Sequence, residues 1–213
     1  MHRPTLLVFS GLPATGKTTL AQEVSRRAGL LMINKDRIQQ TLVERQGVSG
    51  SNREGYFFLF DLAEVQLRLG VDVLLDAVFP RNEYRDRVRR IASRYGARFK
   101  VALCSCSDDS AWESRFYKDQ ASRSWAKGYD WQCVLRARQR FEPWRDVELL
   151  ALDSAAPREG NLERLTEWLV GGTESRCRAV VSSLSSHVSR AAAEIGVDPG
   201  TPEIRPVHNV IEG

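Results

Sequence analysis

Residues 11–18, GLPATGKT, are the strongest indication of the fold in this sequence. They match the pattern GxxxxGK[ST], they directly follow the apolar run TLLVFS at residues 5–10, and a helical pattern continues to residue 28. Glycines allow a backbone to turn tightly enough for its N–H groups to face phosphate oxygens, and a helix N-terminus favours an anion. The stretch therefore predicts a phosphate-binding loop between a buried strand and a helix. A glycine turn that binds no nucleotide is the alternative interpretation.

The loop also predicts which side chains would meet a nucleotide. We expect Lys17 to reach the β- and γ-phosphates of ATP and the Thr18 hydroxyl to bind Mg²⁺. The residues expected to contact the nucleotide are Gly11, Pro13, Ala14, Thr15, Gly16, Lys17, Thr18 and Thr19. A GTPase would carry a guanine-reading NKxD after a later strand, and the sequence NKDR at residues 34–37 lacks that spacing and comes too early.

Apolar runs and helical patterns alternate along the first 170 residues. The five runs lie at residues 5–10, 30–34, 71–76, 98–103 and 147–152. Most of them are continuously apolar, as in strands buried on both faces of a parallel sheet. The pattern predicts an α/β P-loop NTPase fold, with a five-stranded parallel sheet sandwiched by helices. We expect a P-loop domain at residues 1–172 with a small helical lid at about 111–130, and a C-terminal amphipathic helix and tail at 173–213.

Composition excludes several classes of protein. The 213 residues include 31 lysines and arginines and 27 aspartates and glutamates, a net charge of +4, which permits an anionic ligand without requiring a nucleic acid. No apolar run approaches the ~20 residues of a membrane span, and no signal-peptide layout is present. The four cysteines form no CxxC pair, which disfavours zinc-ribbon and disulfide frameworks. We therefore predict a cytoplasmic protein with no membrane contact.

Two aspartates follow predicted strands. Asp36 comes 19 residues after Lys17 and just beyond the second run, where strand ends converge on a ligand crevice. A carboxylate there can accept the proton of an attacking hydroxyl, although Asp36 could instead cap a helix over residues 37–44. Asp76 ends the third run and is expected to bind Mg²⁺ directly or through water, the alternative being a turn residue.

Basic residues supply candidates for binding phosphates. Arg81 and Arg85 could hold acceptor or phosphate oxygens. In the predicted lid, we expect Arg115 and Arg123 to stabilise the phosphoryl group during transfer. Seven arginines lie between residues 81 and 98, which suggests either a nucleic-acid groove or, as we favour, a solvated helix face.

Four segments together resemble a known family. GLPATGKTTLA (11–21), INKDRIQQTL (33–42), VLLDAVFPRNEYRDRVRRIASRYGARF (73–99) and RQRFEPW (138–144) look like the P-loop kinases that include phage polynucleotide 5′-kinase, zeta-toxin-type kinases and seryl-tRNA kinase. The resemblance covers about residues 5–170. It implies that Lys17 and Thr18 serve the nucleotide and Mg²⁺ and that Asp36 is the general base. It also implies matching roles for Asp76, Arg85 and Arg115, the last as the first lid arginine.

The sequence departs from the polynucleotide kinases at two positions. Those enzymes place an arginine three residues after the base, where Gln39 stands here with Arg37 close by, and a second lid arginine where Asp119 stands. We expect Arg37 and Gln39 to face the acceptor. The departures favour a small-molecule acceptor over a nucleic-acid phosphate.

The sequence therefore predicts an ATP- and Mg²⁺-dependent kinase that phosphorylates a hydroxyl group, with Asp36 as base. Two alternatives stay open: a polynucleotide 5′-hydroxyl kinase, and an ATP-binding interaction module with weak ATPase activity that would use residues 173–213 for a partner. The oligomeric state is not predicted.

Overall fold

The computed structural model describes residues 2–46, 53–120 and 129–171. Along the chain these residues form β1 (Thr5–Ser10), α1 (Lys17–Ala28), β2 (Leu31–Asn34), α2 (Lys35–Gln46), α3 (Arg53–Arg68), β3 (Val73–Asp76), α4 (Asn82–Arg94), β4 (Arg98–Ser105), α5 (Asp109–Gln120), α6 (Trp131–Arg140), β5 (Glu148–Asp153) and α7 (Arg158–Val170). The predicted C-terminal helix at 173–213 lies outside the described residues.

The five strands form one parallel sheet in the order β2-β3-β1-β4-β5. The predicted five-stranded α/β fold is thereby confirmed. Strand limits differ from the apolar runs by a few residues; β3, for example, starts at Val73 rather than at residue 71. Because β1 and β3 are neighbours in the sheet, the phosphate-loop stretch and Asp76 follow adjacent strand ends.

Both faces of the sheet are covered, which explains why the strands are continuously apolar. Successive residues of β1 point to opposite faces: Leu6 and Val8 pack in the cluster that contains the α3 and α4 side chains, whereas Leu7 and Phe9 pack in the cluster that contains those of α1 and α7. A third, smaller cluster joins α5 and α6 to the loop at residues 11–18.

The first two helices begin where the chain leaves the sheet. Helix α1 starts directly after Gly16, a left-handed residue with φ of 78°, and is followed by Gly29, which has φ of 66°. Helix α2 starts at Lys35, and the side-chain oxygen of Asn34 accepts the backbone N–H of Arg37 at 2.6 Å, as an N-cap does. The N-termini of α1 and α2 therefore lie near the edge of the sheet at which the strands end.

None of the helices in the described parts of the chain is long and apolar enough to cross a membrane.

Candidate active site

The stretch 11–18 forms a tight loop between β1 and α1. Gly11 has φ of 146°, and a Cβ atom placed on it would lie 2.2 Å from the carbonyl oxygen of Cys104 in β4. Ala14 and Gly16 also have positive φ. The Thr15 hydroxyl donates to the Leu12 carbonyl at 2.8 Å, which closes the loop on itself. These bends carry the backbone to the N-terminus of α1, the arrangement that anion-binding loops use.

The Lys17 side chain is buried beneath this loop. Its ammonium group donates to the Leu12 carbonyl at 3.3 Å. A buried ammonium that donates to a loop carbonyl can exchange that carbonyl for a phosphate oxygen at modest cost. The structure therefore places Lys17 at the loop, and its contact with phosphates stays a prediction.

Asp76, at the end of β3, carries a buried oxygen that lacks a partner. The Asn34 amide donates to its Oδ2 at 2.5 Å, whereas Oδ1 is buried without any hydrogen bond. Burial raises the pKa of this carboxyl, and nearby Lys17 and the Thr18 hydroxyl oppose that rise. An unsatisfied carboxylate oxygen beside a threonine hydroxyl is a pair of oxygen donors that suits a magnesium ion. The residues present therefore fit the predicted metal.

Asp36 lies in the first turn of α2. Since Asn34 caps this helix, the alternative interpretation of Asp36 as its N-cap is wrong. The Asp36 side chain is 27% exposed, and both it and Thr18 line one cavity of about 970 Å³. The carboxylate is thus open to a ligand that also reaches the start of α1.

Lys35 is a neighbour of the site that the sequence analysis missed. Its ammonium group lies 3.1 Å from Asp36 Oδ1 and 5.6 Å from the centre of the Tyr56 ring, and its side chain is only 6% exposed. A lysine at the start of a helix normally reaches solvent, so nothing in the local sequence indicates this burial. The ion pair restricts the orientation of the Asp36 carboxylate.

Helix α5 brings Arg115 to the phosphate-binding loop. Its Nη1 donates to Ser154 Oγ at 3.1 Å and lies 4.0 Å from the position that a Cβ on Gly16 would take. The Nη2 atom contacts the Cys106 sulfur at 2.7 Å. In the same helix, Trp112 Nε1 donates to the Pro13 carbonyl at 2.8 Å, which fixes α5 against the loop. The other predicted lid arginine, Arg123, lies outside the described residues.

Arg85 does not take the position that was predicted for it. The side chain is fully buried, and it donates to the backbone carbonyls of Phe79 at 2.9 Å and of Glu142 at 2.7 Å. Its guanidinium also lies 4.9 Å from the ring centre of Trp144. Because these contacts enclose the guanidinium, Arg85 joins α4 to residues 141–144 instead of binding an acceptor. Desolvation lowers the pKa of this guanidinium.

Gln39 also differs from its prediction, because it does not face the site where an acceptor would bind. The side chain is buried, and its Oε1 lies 2.8 Å from the position that a Cβ on Gly55 would take, so it packs between α2 and α3. It is not among the residues that line the cavity, whereas Arg37 is. Arg37 is exposed and donates to Gln40 at 3.2 Å. Arg81 is also exposed and forms an ion pair with Glu83 at 3.4 Å.

The arginines of α4 are largely paired with acidic side chains. Arg94 and Arg87 contact Glu64 of α3, and Arg89 contacts Asp86 at 3.0 Å. This part of the chain is therefore an ion-paired helix surface.

Comparisons with known proteins agree with this architecture. The sequence matches the AAA_33 family, described as an AAA domain, over residues 6–143. No curated protein matches the sequence significantly.

Three solved kinases share the fold. A sugar kinase from Janibacter sp. HTCC2649 has 21% identity and a TM-score of 0.57, covering 78% of this chain and 94% of that one. The Mycobacterium tuberculosis APS kinase CysC, solved with AMPPNP and APS, has 20% identity and a TM-score of 0.57, covering 79% and 99%. A gluconokinase from Sinorhizobium meliloti 1021 has 19% identity and a TM-score of 0.53, covering 82% and 100%.

The family match spans more than half of the sequence and includes the phosphate-binding loop, Asp36, Asp76 and Arg115. The protein therefore belongs to the AAA_33 family of AAA domains, and its fold is the one found in P-loop kinases.

Proposed function

We propose that the protein is an ATP- and Mg²⁺-dependent kinase that transfers the γ-phosphoryl group to a hydroxyl of a small molecule. The proposal rests on one observation: three features of the site lie together at the ends of adjacent strands. These are the phosphate-binding loop with Lys17, the unpartnered Asp76 oxygen near Thr18, and the open Asp36 carboxylate on the cavity that Thr18 also lines.

In this proposal, the loop residues named above bind the phosphates of ATP through their backbone N–H groups and the N-terminus of α1. Lys17 leaves the Leu12 carbonyl and contacts the β- and γ-phosphates. Thr18 and Asp76 hold Mg²⁺, which supplies positive charge against the phosphate oxygens.

Asp36 accepts the proton as the acceptor O–H bond breaks. The acceptor oxygen forms the new bond to the γ-phosphorus, the bond between that phosphorus and its bridging oxygen breaks, and ADP leaves with the bond electrons. Lys35, at 3.1 Å, keeps the Asp36 carboxylate oriented and balances its charge before the proton arrives. Arg115 stabilises the charge on the transferring group from its position beside Gly16, and Arg123 is retained as the proposed second lid arginine.

Several observations support a small molecule over a nucleic acid. Three arginines of α4 form ion pairs, namely Arg87, Arg89 and Arg94, and Arg85 of the same helix is enclosed by backbone carbonyls. The three solved kinases described above are named for small-molecule substrates: a sugar, APS and gluconate. Use of ATP also agrees with the cytoplasmic location that the sequence predicts.

A transfer assay with γ-³²P-ATP and Mg²⁺ tests the proposal. Two acceptor pools are offered, a 5′-hydroxyl oligonucleotide and a bacterial metabolite extract. Asp36→Asn is compared with Glu44→Gln, an exposed position of the same helix. Asp36→Asn should bind ATP normally but transfer label at least about 100-fold more slowly, because a general base contributes at least that much. Glu44→Gln should match the wild type.

Undiminished transfer by Asp36→Asn would contradict the role of this carboxylate. If ATP binds and no label reaches either pool, the interaction module becomes the better description of the protein.

A further inference from the structure

We infer that the acceptor is an uncharged alcohol with an apolar body, and that this body occupies the cavity bordered by α1, α2, α3 and the edge strand β2. The inference rests on the proposed kinase function and names the class of substrate. It is carried by the charge and the apolar surface of the cavity that contains Asp36.

The cavity offers almost no charge to an ionic ligand. Of the described residues that line it, Asp36 and Arg37 alone are charged, and they have opposite signs. The Arg37 guanidinium already donates to Gln40 within the same helix. An acceptor with a phosphate or carboxylate would lose its hydration without gaining a matched set of cations, and Asp36 would repel it. Lys35, next to Asp36 in the chain, is buried and is paired with Asp36.

The opposite part of the cavity presents large apolar side chains. Phe58 and Leu62 lie one helical turn apart on α3, and Leu31 lies on the edge strand β2. All three side chains are exposed, which is costly for large apolar groups in water unless something covers them. The volume of about 970 Å³ matches the range of cavities that hold small ligands.

A single molecule can contact both the Asp36 carboxylate and the apolar side chains of this cavity. Thr18 and Asp36 line the same volume as Phe58 and Leu62. A hydroxyl placed at Asp36 therefore leaves the rest of the molecule against the apolar wall. The polar groups along the way, Gln22 and Thr41 among them, are neutral donors and acceptors that suit an uncharged compound.

The structure supplies a matched pair of variants. Phe57 and Phe58 are neighbours in α3 and are each 49% exposed, but only Phe58 lines the cavity. Replacing either with alanine removes the same side chain from the same helix. Only Phe58→Ala removes a contact with the acceptor.

The test divides a metabolite extract into defined pools. Anion exchange separates a retained anionic fraction from an unretained one, and reversed-phase chromatography divides the unretained material into polar and apolar fractions. Each fraction, and a 5′-hydroxyl oligonucleotide, is incubated with γ-³²P-ATP, Mg²⁺ and the full chain. Label should reach a compound from the uncharged apolar fraction. With that compound, Phe58→Ala should raise KM about tenfold, since a lost apolar contact is worth that much, whereas Phe57→Ala should change it less than about twofold. The KM for ATP should be the same in both variants.

The other outcomes are distinguishable. Label only in the anionic or the polar fraction would overturn the inference and leave the proposed function standing. Label only in the oligonucleotide would overturn the inference and the small-molecule acceptor, and would leave ATP-dependent phosphoryl transfer standing. An equal KM for the two phenylalanine variants would overturn the placement of the acceptor in this cavity. No label in any fraction, with ATP bound, would overturn the proposed function and this inference together.

Discussion

Gly11→Ala should destabilise the protein far more than alanine does at an uncrowded glycine. The new Cβ would lie 2.2 Å from the Cys104 carbonyl oxygen and 3.0 Å from the Thr15 hydroxyl, and the backbone φ of 146° is rare for an L side chain. Cys104 belongs to β4, where it lies opposite Leu152 of β5 in the sheet register, so its carbonyl cannot move away without disturbing the sheet. The strain must therefore be taken up by the loop.

The expected magnitude follows from two costs. A residue held in a sparsely populated backbone region costs about 1–3 kcal/mol, and forcing extra atoms into a packed site costs about 1–3 kcal/mol more. Gly11→Ala should accordingly lose about 2–6 kcal/mol of unfolding free energy. Gly29→Ala is the control, because Gly29 has φ of 66° but nothing lies within 4 Å of its Cβ position. Gly29→Ala should lose only the unfolding free energy that the left-handed conformation costs an alanine, about 1–2 kcal/mol.

Urea denaturation of the wild type and both variants, without nucleotide, measures these losses. The midpoint of Gly11→Ala should fall well below that of Gly29→Ala at an unchanged denaturant slope. Equal losses in the two variants would refute the reasoning, because the close approach of the loop to Cys104 would then be absent.

Three further predictions concern single side chains of the site. Lys35→Met should lower kcat for phosphoryl transfer between about tenfold and a hundredfold with an unchanged KM for ATP, because Asp36 loses its orientation; an unchanged kcat in steady-state assays would contradict this role. Asp76 has its pKa raised by burial, so the stability it gives is present at low pH and is lost as the pH rises through the folded-state pKa. Asp76→Asn should therefore raise the Tm of the nucleotide-free protein more at neutral pH than at acidic pH, and a gain of the same size at both in calorimetry would argue against it. Burial raises the pKa of the Cys104 thiol to about 12, so iodoacetamide at pH 8 should modify Cys104 at least about a hundredfold more slowly than Cys133, as followed by peptide mass spectrometry; comparable rates would disprove the burial.

The strands and the first helix were predictable because their signals are local. The run TLLVFS, the glycines of the loop and the helical pattern that follows lie within 24 consecutive residues of the chain, Thr5–Ala28. Continuous apolar runs also indicated strands buried on both faces, and the sheet is covered on both.

The details around the acceptor cavity were less predictable. Asn34 caps α2 and also binds Asp76, a double role that depends on β2 and β3 lying side by side. From the sequence, Lys35 would be expected at the surface, but in the structure α3 covers it. The local sequence around each residue contains no sign of these neighbours.

The sequence by itself determined the phosphate-binding loop, the parallel sheet and the order of the helices, because backbone preferences and hydrophobic periodicity act over a few residues. Only the tertiary structure decided which basic and polar groups stay available for a substrate. Arg85 is enclosed by carbonyls 57 and 58 residues further along the chain, and Gln39 is buried against Gly55 of the next helix. Burial and the pairing of charges depend on what other segments bring to a side chain, and that is settled only when the chain has packed.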